Sequence, residues 1–209
     1  MFKFVKPAAL LLTALLGLSG CTSLITGGDA ELYDLTAVKS FDGLTPVEAR
    51  LLIGEPMAKR ALDTDRMAVR PRPQEYQYLA DARFADRVPS LMQSLLVESF
   101  ENSRAFTAVA RTAMGIQGDY VLKAEIRAFE AAFYEDEERP TVTARLSVAL
   151  VKLPSLTIVA SRSFEATAKA DGNDTAQIVS TYDMAAKMVI KEMVGWSVTA
   201  ITQNRNAGQ

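Results

Sequence analysis

The chain has no histidine in its 209 residues. That removes the usual general base, the commonest metal ligand and every Ser-His or Cys-His nucleophile pair. No G-x-S-x-G stretch stands in for them. A single cysteine, Cys21, excludes an intrachain disulfide, so the fold must be held by its core. A single tryptophan, Trp196, falls in an apolar helical stripe, and no aromatic platform for sugars is apparent; a carboxylate pair of the glycosidase kind is left open. Neither sign of charge is in excess, with 23 Lys and Arg against 25 Asp and Glu. No basic run follows a phosphate backbone, which argues against nucleic acid as a partner. Long apolar runs are missing too. The run at residues 8–18 has 11 residues, broken only by Thr13 and Gly17, whereas a spanning helix needs about 20.

What is present begins with that short run. Lys3 and Lys6 precede it, and Leu18-Ser19-Gly20 puts small residues directly before Cys21. This is the layout of a secretory signal peptide. Leu-Ser-Gly-Cys also resembles the bacterial lipobox, in which the cysteine is acylated and becomes the first residue of the mature chain. An ordinary signal peptide with an incidental cysteine, or an uncleaved anchor, is the competing reading. Residues 1–20 are therefore expected to be removed, Cys21 to carry palmitate-like acyl chains, and residues 21–30 to be a lipidated N-terminus and linker. Two or more acyl chains hold a protein firmly to a bilayer, where one does so only marginally. Thr22 follows the cysteine in place of the Asp that, in enteric-type sorting, retains lipoproteins in the inner membrane, so the outer membrane is favoured. Removal of the leader, with its two lysines, takes the net charge from −2 to −4.

Apolar content of 49% supports one domain at residues 31–202, followed by a flexible tail at 203–209. Residues 31–35, 50–53, 67–70 and 75–79 alternate between Gly and Pro breakers and are expected as short strands. Val88, Leu91, Met92, Leu95, Leu96 and Phe100 have helical spacing, with Pro89 in the first turn. Residues 120–130, 141–152 and 156–169 alternate as three half-buried strands. In the last of these Leu156, Ile158, Ala160, Phe164 and Ala166 form the apolar face. A final helix starts at Asp174 with a capping-box-like Gln177 and carries the stripe Ile178, Tyr182, Ala185, Val189, Met193, Trp196 and Ala200. The expected fold class is α+β, a mainly antiparallel sheet with two long amphipathic helices packed on one face.

Several residues admit two readings. The acidic run at 135–138 is a solvated hairpin loop or a contact for a cation or a basic partner patch. Asp63 and Asp65 lack the remaining oxygen ligands of a calcium loop and are read as surface. Arg70-Pro71-Arg72-Pro73 is an edge-strand exit or a site for anionic headgroups. Tyr182 and Trp196 are read as core in preference to a ligand cage. No catalytic, cofactor-binding or metal site is expected; Cys21, for lipidation, is the one site residue.

The lipobox, the opening Tyr33-Asp34-Leu35, the block YQYLADARFADRVPSLMQSLLVESFENSRAF at residues 76–106, the strand GDYVLKAEI at 118–126 and a final helix ending near a tryptophan together resemble the ABC-type transport auxiliary lipoproteins, which include the PqiC-type partners of MCE lipid transporters. The resemblance covers residues 21–202. One departure is visible: the family often has Arg-Trp before its first long helix, where this chain has Arg83-Phe84, without the indole N–H. The resemblance implies a non-enzymatic, lipid-anchored periplasmic accessory at the outer membrane that docks an MCE-family protein of an ABC transporter. Self-association into a homo-oligomer is expected, alone or on meeting that partner. The alternative is a structural or regulatory envelope lipoprotein that binds a peptidoglycan or outer-membrane enzyme.

Overall fold

Residues 30–134 and 136–207 are described by the structure, a computed structural model. The elements follow in the order β1 (Glu31–Tyr33), β2 (Val47–Ile53), β3 (Met57–Ala58), β4 (Arg66–Arg72), β5 (Glu75–Phe84), α1 (Val88–Asn102), β6 (Phe106–Arg111), β7 (Tyr120–Ala132), β8 (Thr141–Lys152), β9 (Thr157–Lys169) and α2 (Thr175–Ala207). A 3-10 turn, Thr112–Met114, separates β6 from β7. The leader, Cys21 and Glu135 lie outside the described residues.

The spine of the sheet is β7. Its 13 residues pair along one edge with β8 in antiparallel register from Tyr120–Lys152 to Ala132–Thr141, and β9 continues the meander. The other edge of β7 is long enough for three shorter strands placed end to end, all parallel to it: β2 at Tyr120 to Leu122, β3 at Glu125 and Ile126, β4 at Ala131 and Ala132. β6 extends the sheet parallel to β2, while β5 pairs antiparallel with β4 and parallel with β1. The sheet is therefore mixed, and the expectation of a mainly antiparallel sheet is corrected. Alternation along a strand tells which face is buried, not which way its neighbour runs. Here the three short strands follow one another along β7, and the return from β2 to its parallel partner β6 passes through α1.

Both helices lie on one face, since side chains from α1 and α2 share a single core with Leu51, Ile53, Leu122, Ile126, Leu146, Leu150 and Phe164 of the sheet. α1 packs over β6 and β2, α2 over β8 and β9, and the helices touch each other. α1 begins with Pro in its first turn, where no N–H is needed. α2 is capped by Asp174, whose carboxylate accepts the Gln177 N–H at 3.0 Å. α2 continues to Ala207, through the expected tail, where the Tyr120 hydroxyl donates to Asn204 Oδ1 at 3.0 Å and Arg205 reaches Glu48.

An aromatic knot sits at the centre of the core. Phe84 stacks on Phe129 with ring centroids 5.7 Å apart, and Tyr182 meets both edge-on at 5.5 and 5.0 Å. Burial of such a ring contributes about 1.5–3 kcal/mol. The Tyr182 hydroxyl donates to the Ala68 carbonyl, and burial holds its pKa above the usual phenol range. Phe84 is fully enclosed by this knot, so the position needs a ring and no indole donor.

Candidate docking surface

On the helix-free face most of the sheet is polar, as the alternation predicts. Arg145 pairs with Glu165 at 3.2 Å, and Ser147 and Ser163 lie side by side. One row breaks the rule. Ala110, Leu52, Val121, Val151 and Ile158 are in register across β6, β2, β7, β8 and β9, so five apolar side chains form a line on the outer face. Leu52, Val121 and Val151 are buried there as a second small core, with Leu153 leaning on them.

Two loops build this end of the molecule. The loop after β6 crosses Leu52 so closely that a Cβ on Gly118 would stand 2.5 Å from Leu52 Cγ; only a glycine allows the approach. Gly115 ends the 3-10 turn in the left-handed conformation, φ 66°. The second loop is the β8–β9 turn through Leu153-Pro154 to Leu156. The Leu153 N–H donates to the Asp119 carbonyl at 2.9 Å, which ties the loops together. Asp119 also fastens β2: its carboxylate accepts from the Arg50 N–H at 2.8 Å and from the guanidinium at 3.0 and 3.2 Å. The Arg50 side chain, then its backbone N–H, hold the Asp119 carboxyl below the usual range.

Around this second core stand Met57, Met114, Ile116, Leu156 and Ile158, each 49–70% exposed. Large apolar side chains in such a cluster mark an interaction surface, where single ones would need no explanation. Two open grooves of about 540 and 550 Å³ run past them and share Leu52 and Leu153; Lys123 and Glu55 line the first, Arg50 and Asp119 the second. Leu156 and Ile158 were expected in the core with Ala160 and Phe164. The expectation fails at a bulge: Leu150 pairs with Ala160, but Val151 pairs with Ile158, so Val159 is extra and Ile158 turns outward. Sequence reasoning also missed the row itself. The signal was present, because Val121 and Val151 stand on the polar phase of their strands, next to Lys123 and Ser147 respectively.

The opposite end is acidic. Asp136 accepts the N–H groups of Glu138 and Arg139, both at 3.1 Å, and pairs with Lys169 at 3.0 Å, while Glu137 and Glu138 are exposed. Asp136 to Glu138 thus form a turn held by these bonds. Nearby, Arg70 is inside the sheet, not at an edge exit, because β4 lies between β5 and β7. It pairs with Glu130 at 3.3 Å on side chains that are 23% and 7% exposed. Asp63 and Asp65 pair with Arg87 and Arg83. Among the described residues no group of three or more Cys, Asp or Glu side chains is arranged to hold a metal ion. Trp196 is half-buried and meets Phe164 edge-on at 5.4 Å.

Similarity to known proteins fits this architecture. Residues 33–194 match the family described as ABC-type transport auxiliary lipoprotein component. The chain belongs to that family. It is similar to an uncharacterized protein of Bradyrhizobium diazoefficiens, 35% identical over 182 residues. That match covers 85% of this chain and 48% of the relative, so the chain spans about half the relative's length. The fold is similar to a crystal structure of a Xanthomonas campestris protein, with a TM-score of 0.79 and 30% identity over 85% of this chain and 99% of the other. A Chlamydia trachomatis protein at 8% identity, TM-score 0.52, covering 74% of this chain and 98% of its own, shares the fold alone. The family's description is of a lipoprotein component that is auxiliary to ABC-type transport. Among the described residues no helix is long and apolar enough to cross a membrane.

Proposed function

We propose that this auxiliary lipoprotein is a non-enzymatic component of an MCE-linked lipid transport system, anchored to the outer membrane through Cys21 and acting as the dock for the transporter's periplasmic MCE protein. The observation that carries the reading is the family match over residues 33–194, joined to a fold whose distinctive features are surfaces. An extended linker at residues 21–30 reaches at most about 36 Å, which cannot carry the domain across the periplasm. The partner must come to it, and a long MCE assembly driven from the inner membrane would do so. Self-association of the lipoprotein would offer such an assembly a symmetric collar.

The test is capture of the tagged, full-length lipoprotein from cells after mild crosslinking. An MCE protein in the eluate is the expected result. Charge reversal at Glu137 and Glu138, which are exposed and leave the Asp136 contacts in place, is expected to weaken that capture without unfolding the domain. Capture of peptidoglycan or an outer-membrane enzyme in its place would favour the structural or regulatory alternative.

A further inference from the structure

The two ends of the sheet differ in chemistry. At the end built by the loop after β6 and the β8–β9 turn, Met114, Ile116, Leu156 and Ile158 are exposed around the second core. Of the two carboxylates that line its grooves, Asp119 is held by Arg50 at 3.0 Å and Glu55 shares Arg87, at 3.5 Å, with Asp63. Lys123 beside Leu52, and Lys152 at the end of β8, have no carboxylate partner among the described residues, so they set the sign of this end as positive. The far end carries Asp136, Glu137, Glu138, Asp171 and Asp174 on its two connecting loops against Arg139 and Lys169, the last of which pairs with Asp136, so carboxylates are in excess there. A chain with a small net negative charge is thus divided into a basic apolar end and an acidic polar one.

We infer that the basic apolar end, centred on Ile116 and Leu156, rests on the surface of an anionic phospholipid bilayer and orients the tethered domain. Exposed apolar side chains flanked by lysines are the chemistry that seats a protein in the headgroup layer, through burial of apolar area together with attraction to anionic lipid. The acidic end would be repelled by the same surface and would face away from it. This inference rests on the proposed anchoring at Cys21. The anchor alone does not choose an orientation. Glu31, where the described domain begins, is level with Phe129 of β7, about 30 Å of strand from the Tyr120 end and about 10 Å from the acidic end. A ten-residue linker of at most about 36 Å reaches past the acidic end easily and past the Tyr120 end when close to fully extended, so both orientations are open and the surface chemistry selects one.

The experiment uses the full, lipidated chain in vesicles of phosphatidylethanolamine and phosphatidylglycerol that contain doxyl-labelled lipid as a quencher. Single cysteines are introduced as Ile116→Cys, Leu156→Cys and, at the acidic end, Glu137→Cys, all at exposed positions, and labelled with a small fluorophore. Acylation of Cys21 leaves each new thiol as the one that reacts. Quenching at 116 and 156 should be at least about twofold that at 137, the contrast expected between a probe in the interface and one held off it. It should fall when Lys123→Glu and Lys152→Glu are combined, or when phosphatidylglycerol is left out. Equal quenching at the three positions, or most at 137, overturns the inference while the chain stays on the vesicles. Probes at 116 and 156 that are unquenched yet shielded from a water-soluble maleimide overturn it in favour of a second copy seated on that face. Labelling of Cys21 in the unmutated chain, with release from the vesicles, would defeat the anchoring reading and this inference together.

Discussion

Gly118 and Glu130 show how single residues fix the outer face. A methyl group at position 118 has no room beside the branch carbon of Leu52, so Gly118→Ala must displace Leu52 or the loop. We expect a loss of about 1–3 kcal/mol, the usual cost of overpacking, read as a lower urea midpoint with an unchanged slope. Glu130 is held by Arg70 on one oxygen and accepts the Phe129 N–H at 3.0 Å on the other. Removing the carboxylate alone, Glu130→Ala, leaves Arg70 with a largely buried charge and should cost about 3 kcal/mol or more. Replacing both, Arg70→Met with Glu130→Leu, should recover most of that loss. A double variant as unstable as the single one would show that the pair itself stabilises the sheet. Glu130 was not legible from pattern alone: alternation counts it with Leu122 and Ile126 on the apolar phase of β7, a bulge at Arg127 turns it to the outer face, and the approach of β4 along the same edge buries it there.

At the scale of elements, the legible parts are those specified by local chemistry. Helical spacing and Pro89 mark α1, the cap at Asp174 marks the start of α2, and strict alternation marks β7, β8 and β9. What local chemistry does not specify is pairing direction and the bulge at Val159. Both depend on how distant segments meet, so the parallel β2, β3 and β4 and the outward turn of Ile158 came only with the structure. Asp119 is an element-scale joint, since it links β2, the start of β7 and the β8–β9 turn. Its carboxyl is held below the usual range in the folded protein by Arg50. A depressed folded pKa stabilises above the unfolded pKa and loses that contribution as pH falls through the folded one. Asp119 should therefore support the fold at neutral pH and lose that contribution progressively as pH falls below about 4 toward its lowered folded pKa. The urea midpoint of Asp119→Asn should lie below that of the parent at pH 7 and approach it in acid. An equal gap at both pH values would mean that the joint is steric.

At the scale of the whole molecule, the candidate surface was only half visible in the sequence. The lipobox-like leader and the acidic run are contiguous stretches that any reading meets. The apolar row is not, because its five residues come from five strands and become neighbours through register alone. On the proposed reading Cys21 tethers the domain, and the acidic end is turned toward a transporter that must reach it. The most direct test is crosslinked capture of the full-length lipoprotein from its own envelope. The account predicts that an MCE-family protein is retained, and that reversal of charge at Glu137 and Glu138 lowers its yield while the melting temperature is kept. A lipoprotein that never retains an MCE protein, with envelope permeability unchanged when it is deleted, would contradict it.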